Sequence, residues 1–250
     1  MKNESQLIFS RSDKRIYRDG DKLVKVFETN YSKANILNEA LNHASVEETD
    51  LNIPSLRSIE VVDGKWAIVL DYIEGVTLQQ LMDEHPEKED EYLNLFVDLQ
   101  LTVLSKKAPM LNKLKDKMQG KISATDLDAT TRYDLHTRLD SMPKHTHLCH
   151  GDFNPTNVII TSDGTPYVID WAHATQGNSS ADVARSYLLF YLAGKKELGD
   201  KYLKLFCKKS DTAIQYVQRW IPIVAASRLS KAKPEEDEFL RKWIDVVDYE

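Results

Sequence analysis

The chain has 250 residues, of which 42% are hydrophobic and 29% are charged. This composition is typical of a folded protein and excludes a chain that is disordered throughout. The formal net charge of −6 is small and no part of the chain is strongly basic, which argues against a nucleic-acid-binding protein. The length suits one large domain or two modest lobes with a hydrophobic core.

The cysteines and the chain termini indicate a cytoplasmic protein. Only Cys149 and Cys207 occur, in unrelated contexts, which fits reduced thiols better than a disulfide framework. The first six residues are polar and lack the apolar core of a signal peptide. Apolar runs such as Tyr187–Ala193 are far shorter than the roughly 20 residues of a membrane helix. We therefore expect no membrane association.

The first 27 residues predict two or three strands, at Leu7–Phe9, Lys14–Tyr17 and Leu23–Phe27. An Asp-Gly turn at Asp19–Gly20 supports a hairpin between the last two. Lys25 interrupts the apolar run of the third strand. It is either an exposed lysine on an edge strand or a lysine in a covered strand, where its charge needs a partner. Its apolar neighbours favour the covered strand.

Residues 32–46 predict a helix that Ser32 caps. Glu39 lies at the margin of its apolar stripe. A glutamate at a helix edge is usually solvated, and only a pair with Lys25 would give it a role. The expected stripe consists of Ile36, Leu37, Ala40, Leu41 and Ala44.

Two further strands, Arg57–Val62 and Trp66–Tyr72, complete the predicted sheet. The second is almost wholly apolar, as expected of a central strand. Residues Ile73–Thr77 look like a connector, and strand signals then vanish for a long stretch. We therefore place a boundary here, with residues 1–73 as an N-terminal lobe and residues 74–250 as a C-terminal lobe.

The C-terminal lobe is predicted to be mainly helical. The lysines within Lys113–Lys121 are most simply a solvated helix face. Asp182, in the first turn of its helix, could simply favour the helix dipole. The clearest helical segments are Leu78–Met82, Glu87–Lys106, Thr131–Met142, Val183–Leu192, Lys201–Lys208, Thr212–Arg228 and Glu235–Val247.

A histidine-rich segment precedes the middle of this lobe. His145, His147 and Cys149 alternate, so a strand would place them on one face. A structural zinc site is one interpretation, but no Cys-x-x-Cys or His-Glu-x-x-His motif accompanies them. Surface or packing histidines are the simpler interpretation.

The segment from His150 to Asp170 gathers oxygen and amide groups. Two apolar runs flank an Asp-Gly turn at Asp163–Gly164, which predicts a hairpin. A hairpin would bring Asn157, before the first strand, close to Asp170, after the second. Such oxygen ligands suit magnesium, which proteins usually hold with one or two carboxylates plus substrate phosphates.

The pattern His150-Gly-Asp152, followed by Asn157, matches the spacing of the protein-kinase catalytic loop, with Gly151 in place of arginine. Asp170 lies between Ile169 and Trp171, where protein kinases have Asp-Phe-Gly. The chain resembles the aminoglycoside phosphotransferase and choline kinase superfamily. The resemblance implies an α+β, bilobal protein-kinase-like fold, with a small antiparallel sheet and one helix before a larger helical lobe.

The resemblance also implies roles for individual residues. Asp152 would be the catalytic base, and Asn157 and Asp170 the magnesium ligands. Lys25 would contact the α- and β-phosphates, with Glu39 as its ion-pair partner. A hinge over residues 70–73 would hold adenine through the backbone of Asp71 and Ile73. His150 and Asp182 would support the catalytic loop.

The activity implied is transfer of the γ-phosphate of ATP to a hydroxyl of a small molecule, with Mg²⁺; GTP stays open as the donor. Two alternatives remain: a nucleotide-binding module without transfer activity, because Ser10–Tyr17 contains no glycine, and a protein kinase. The acceptor would be an aminoglycoside, a choline-like amino alcohol or a sugar. A cationic acceptor would need carboxylates or aromatic faces nearby, for which Trp171, His173, Trp220 and the acidic C-terminus are candidates.

Overall fold

The computed structural model describes residues 5–244. The chain divides into two compact units: Met1–Pro86 with Pro155–His173, and Glu87–Asn154 with Ala174–Glu250. The boundary predicted after Ile73 stays a prediction. Within residues 5–244, no helix has the length and apolar character needed to cross a membrane.

The strands, in chain order, are β1 (Gln6–Ser10), β2 (Lys14–Asp19), β3 (Lys22–Phe27), β4 (Leu56–Val62), β5 (Lys65–Asp71), β6 (Val76–Thr77), β7 (His147–Cys149), β8 (Val158–Ile160), β9 (Pro166–Val168) and β10 (Thr175–Gly177). The helices are α1 (Lys33–Glu47), α2 (Leu78–Glu84), α3 (Glu89–Ser105), α4 (Leu114–Ser123), α5 (Ala129–Ser141), α6 (Ser179–Leu192), α7 (Lys196–Ser210), α8 (Ile214–Gln218), α9 (Ile221–Leu229) and α10 (Pro234–Ile244).

The first unit is built on a five-stranded antiparallel sheet with the order β1-β2-β3-β5-β4. The strands predicted before residue 28 are present. Strand β5 lies between β3 and β4, which confirms the central position expected from its apolar sequence. Strand β3 lies between β2 and β5, so the interpretation of Lys25 as an edge-strand lysine is wrong.

Helix α1 packs on this sheet with a face that differs from the predicted stripe. Ile36 and Ala40 join Phe27, Ile68 and Leu70 in the core. The expected stripe was partly wrong, because Leu37 and Leu41 are 41% and 52% exposed. The face that is buried instead includes His43 and Glu39. The buried glutamate has a charged partner, so the helix turns a polar residue inward.

A second, three-stranded sheet in this unit has the order β6-β8-β9. Strands β8 and β9 form the predicted hairpin, in which Val158 pairs with Val168. Thr77 caps α2 and forms a capping box with Gln80. Gly75 precedes β6 and lies so close to β8 that a Cβ there would be 2.4 Å from the Ile160 carbonyl oxygen.

The second unit consists mainly of helices around an aromatic core. The ring of Phe96 lies 4.7 Å from that of Phe153 and 5.6 Å from that of Tyr202. Strand β7 pairs with β10. The single helix expected over Thr212–Arg228 is instead two helices, α8 and α9. Pro222 lies in the first turn of α9, where a missing backbone N–H is tolerated.

Candidate active site

Lys25 is the centre of a buried charge cluster in the first unit. Its Nζ donates to Glu39 Oε1 at 2.9 Å and to Asp170 Oδ1 at 3.0 Å. The side chains of Lys25 and Glu39 are 8% and 9% exposed, whereas that of Asp170 is 35% exposed. The sequence predicted the pair of Lys25 with Glu39, and the structure adds Asp170 as the second partner. Asp170, which follows β9 of the hairpin, thus contacts Lys25 on strand β3 of the five-stranded sheet.

The charges in this cluster sustain one another. Burial alone would lower the pKa of Lys25, but the carboxylates of Asp170 and Glu39 raise it above its ordinary value. The positive charge of Lys25 in turn lowers the pKa of Asp170 below its ordinary value, against the effect of burial, and Lys14 adds to this. Asp170 is therefore an ionised carboxylate at neutral pH.

The hairpin brings Asn157 next to Ile169, the residue before Asp170. The Ile169 N–H donates to the Asn157 carbonyl oxygen at 3.0 Å, which closes the hairpin at its open end. Asp170 has a φ of 63°, in the left-handed region that few residues other than glycine adopt. The ion pair with Lys25 helps to hold this conformation.

A cleft of about 500 Å³ lies within the first unit. Its lining combines apolar side chains from the sheet, such as Leu23 and Leu70, with the polar residues Lys25, Asn157 and Asp170. An apolar cleft with a few convergent polar groups is the usual form of a small-molecule site.

The predicted hinge residues Asp71 and Ile73 also line this cleft. The Asp71 N–H donates to Ser55 O, and the Tyr72 N–H donates to Asp21 O, both at 2.9 Å. These two donors are therefore engaged within the protein. The Asp71 side chain binds Arg57 Nε at 2.5 Å. The hinge can therefore offer a ligand the carbonyl oxygen of Asp71 and the backbone groups of Ile73.

In the second unit, the loop after β7 carries Asp152. The Asp182 Oδ1 atom accepts a 2.6 Å hydrogen bond from the Gly151 N–H. The Asp152 N–H donates to His150 Nδ1 at 3.2 Å. Both His150 and Asp182 are buried, and burial raises the pKa of Asp182 although His150 opposes the shift. These contacts agree with the predicted supporting positions, and Asp182 does more than favour a helix dipole.

Arg185 on α6 is a site residue that the sequence analysis missed. Its Nη2 lies 3.6 Å from Asp152 Oδ1, and its side chain is 14% exposed. The signal was available: a charged residue sits in the apolar run Val183–Leu188, three positions after Asp182 and hence on the same helix face.

The zinc interpretation finds no support in residues 5–244, where no group of three or more potential ligands could hold a metal ion. His147 Nδ1 contacts the Leu104 carbonyl oxygen at 2.9 Å. Cys149 is buried, and burial raises the pKa of its thiol well above its ordinary value.

Two aromatic candidates for a cationic acceptor are buried. Trp171 and Trp220 are 1% and 0% exposed. The Trp171 Nε1–H donates to the Val168 carbonyl oxygen. Both indoles are core residues, and Trp220 also lines a cavity of about 280 Å³ in the second unit.

The sheet, the helix α1 with its ion-paired glutamate, and the catalytic-loop spacing define a kinase-like fold. The chain belongs to the phosphotransferase enzyme family, whose model matches residues 9–220. This confirms the resemblance seen in the sequence. Membership establishes the class of the protein as a kinase-type phosphotransferase.

Solved structures show the same fold at low sequence identity. A thermostable mutant of aminoglycoside phosphotransferase APH(4)-Ia matches with a TM-score of 0.73 and 15% identity, covering 97% of this chain and 93% of that chain. Aminoglycoside phosphotransferase APH(2'')-Ib with bound ADP matches with a TM-score of 0.63 and 16% identity, covering 97% and 92%. The APH(3'')-Id enzyme from Streptomyces rimosus, solved with ADP and streptomycin, has a TM-score of 0.65 and 12% identity, covering 89% and 92%. No protein of curated function matches the chain.

Proposed function

We propose that the protein transfers the γ-phosphate of ATP to a hydroxyl group of a small molecule, with Mg²⁺. The observation that carries this proposal is the buried contact of Lys25 with both Glu39 and Asp170, at 2.9 and 3.0 Å, on the wall of an apolar cleft. A lysine in a covered strand needs such partners, and the paired ammonium can still offer charge to phosphate oxygens.

ATP would bind in this cleft through the sheet and the hinge. Lys25 would contact the α- and β-phosphates while Glu39 fixes its ammonium. The adenine would accept a hydrogen bond from the Ile73 N–H and donate one to the Asp71 carbonyl, since the donors at Asp71 and Tyr72 are engaged. The relatives solved with ADP support a nucleotide at such a site.

Asn157 and Asp170 fit a magnesium ion. Asp170 is ionised because the charge of Lys25 lowers its pKa, and both residues line the cleft. One carboxylate and one amide oxygen, completed by phosphate oxygens and water, form the kind of ligand set that Mg²⁺ takes. When bound, the ion would neutralise charge on the phosphates during transfer.

Asp152 would act as the base. Its carboxylate accepts the proton of the acceptor hydroxyl while that oxygen forms a bond to the γ-phosphorus. The bond between the γ-phosphorus and the oxygen bridging to the β-phosphate breaks, and ADP leaves with that electron pair. The hydrogen bonds of Gly151 to Asp182 and of Asp152 to His150 fix the loop that carries this carboxylate.

The short segment after Asp170 argues for a small acceptor over a protein substrate. Only a short turn, Trp171–His173, and β10 separate Asp170 from α6. A protein kinase has a longer activation segment at this place, which shapes the peptide-binding surface.

ADP release by the purified protein tests the proposal. With Mg-ATP or Mg-GTP, a panel of aminoglycosides, choline-like amino alcohols and sugars should contain an acceptor that stimulates ADP release, and Asp152→Asn should abolish the stimulation. Binding of Mg-ATP without stimulated turnover across a broad panel would favour the nucleotide-binding module instead. Transfer of phosphate to a protein such as casein would favour a protein kinase.

A further inference from the structure

A group of basic side chains surrounds Arg185 in the second unit. Two come from α4, Lys117 and Lys121; two come from the end of α9 and just beyond it, Arg228 and Lys231. Helix α9 packs against both α4 and α6, which brings these elements together. We call this group the basic cluster: Lys117, Lys121, Arg185, Arg228 and Lys231.

Four members of the basic cluster, Lys117, Lys121, Arg185 and Arg228, are half-buried, whereas Lys231 is exposed. The expectation that the lysines of α4 form a solvated face therefore does not hold for Lys117 and Lys121. Burial and the charge of Arg185 lower the pKa of Lys117 to about 8 and that of Lys121 to about 7. The charge of Lys231 lowers both pKa values further, and the charges of Lys117 and Arg228 also lower the pKa of Lys121. The strongest charges that act on Lys121 are thus all positive.

Two carboxylates, Asp152 and Glu236, act on Arg185. Glu236 is engaged by Arg228, which donates to its two oxygens at 2.8 and 2.6 Å. Asp152 faces Arg185 at 3.6 Å, a long contact for an ion pair. The Nε–H of Arg185 is buried and has no hydrogen-bond partner among residues 5–244. Buried donors of charged groups are nearly always satisfied, so this one calls for a ligand.

We infer that the basic cluster binds an anionic group, a carboxylate or a phosphate, on the acceptor whose hydroxyl is phosphorylated. The contact of Arg185 with Asp152 connects this group to the carboxylate that takes the hydroxyl proton. The inference rests on the proposed function and specifies its acceptor class. The inference disfavours an aminoglycoside or a choline-like alcohol as the acceptor, because the lysines and arginines of the basic cluster would repel a cation.

An alternative is that Arg185 only orients Asp152. That role would explain one contact of Arg185, but it leaves the buried Nε–H without a partner and gives no reason for Lys121 to lie beside so many cations. Like charges at partly buried positions oppose folding, and a bound anion relieves the repulsion.

Binding of sulfate tests the inference, because sulfate stays a dianion across the pH range used. Sulfate is titrated calorimetrically into the wild-type protein saturated with Mg-ADP, so that the nucleotide cleft is filled. We expect binding at pH 6.5, weakening roughly tenfold per pH unit above the pKa of Lys121. At pH 8 the lysines should take up protons as sulfate binds, which measurements in two buffers of different ionisation enthalpy detect.

Matched variants assign the site. Lys121→Gln should weaken sulfate binding at least fivefold, whereas Lys204→Gln, which neutralises an exposed lysine on α7, should leave it unchanged. Absence of sulfate binding, or equal binding by the two variants, would overturn the inference. Binding of Mg-ADP in the same samples is measured separately, so that a failure of the proposed nucleotide site is distinguished from a failure of the anion site.

A matched set of acceptors separates the two anion sources. ADP release is compared for glycerol, glycerate, glycerol phosphate and aminopropanediol, which share a three-carbon skeleton and differ in charge. We expect stimulation by glycerate if the group is a carboxylate and by glycerol phosphate if it is a phosphate, and this stimulation should be lost in Lys121→Gln. Preferential stimulation by aminopropanediol would contradict the inference.

Discussion

Replacement of Lys25 by methionine is the sharpest test of the charge cluster in the first unit. Methionine keeps the unbranched, apolar stem of the side chain and removes the ammonium group. Glu39, whose side chain is 9% exposed, then lies buried without its cation. Asp170 is 35% exposed and can recover hydration, so the cost falls mainly on Glu39.

The size of the expected stability loss depends on how Glu39 can lose its uncompensated charge. Removing one partner of a buried ion pair costs about 3–5 kcal/mol. A carboxyl with an ordinary pKa near 4.3 can instead take up a proton, which costs about 1.4 kcal/mol per pH unit above that value. Protonation therefore limits the cost of the unpaired carboxyl to about 3.7 kcal/mol at pH 7 and about 1 kcal/mol at pH 5. We therefore expect Lys25→Met to lose about 3–4 kcal/mol of unfolding free energy at pH 7 and much less at pH 5.

Urea denaturation at both pH values measures this loss. Lys22→Met is the matched control, because Lys22 lies on the same strand and is exposed. It should change the unfolding free energy by less than about 0.5 kcal/mol. The double variant Lys25→Met/Glu39→Leu should recover most of the lost stability, since an apolar pair can replace a buried ion pair at little cost. Nucleotide binding should stay impaired in the double variant.

Two results would refute this reasoning. If Lys25→Met were as stable as Lys22→Met at pH 7, the ion pair would not be the reason that Lys25 is tolerated in the sheet. If the deficit did not shrink on acidification, or if the double variant were no more stable than Lys25→Met, the unpaired carboxyl of Glu39 would not be its cause.

Three further expectations concern the catalytic residues, the backbone and pH. Asp152→Asn should lower turnover by about 10²–10⁴-fold with Mg-ATP binding retained, Asp170→Ala should be at least as damaging, and Asn157→Ala should be milder, as steady-state ADP release will show. Gly75→Ala should lower the unfolding free energy, measured by urea denaturation, by about 1–3 kcal/mol because its Cβ would meet a backbone oxygen. Gly120→Ala on α4 should raise it by up to about 1 kcal/mol, because a Cβ there meets nothing within 4 Å. The pKa of Asp170 is lowered from 3.8, so its stabilising contribution is fully present above that pH and is lost as the pH falls below it. The difference in unfolding free energy between the wild type and Asp170→Asn should therefore stay constant from pH 6 to about pH 4 and narrow at lower pH.

Local sequence patterns predicted much of the secondary structure and several residues of the candidate site. Hydrophobic patterning and Asp-Gly turns predicted the strands of the sheet and the hairpin that places Asn157 near Asp170, because these signals depend only on neighbouring residues. Motif spacing identified the family and predicted that Asp152 is the catalytic base. An isolated charge in an apolar strand predicted that Lys25 needs a partner, since burial of an unpaired ammonium is too costly.

Only the tertiary structure decided which faces are buried and which charges meet. Leu37 and Leu41 belong to an apolar stripe in the sequence, yet α1 turns Glu39 inward because Lys25 lies opposite it. Lys117 and Lys121 of α4 look like part of a solvated face in the sequence, but α9 packs against α4 and both lysines are half-buried. The pKa values of Lys117 and Lys121 fall because these lysines become buried and because Arg185 and Lys231, distant in sequence, are brought near. Electrostatic interactions depend on separation in space, which local sequence patterns do not encode.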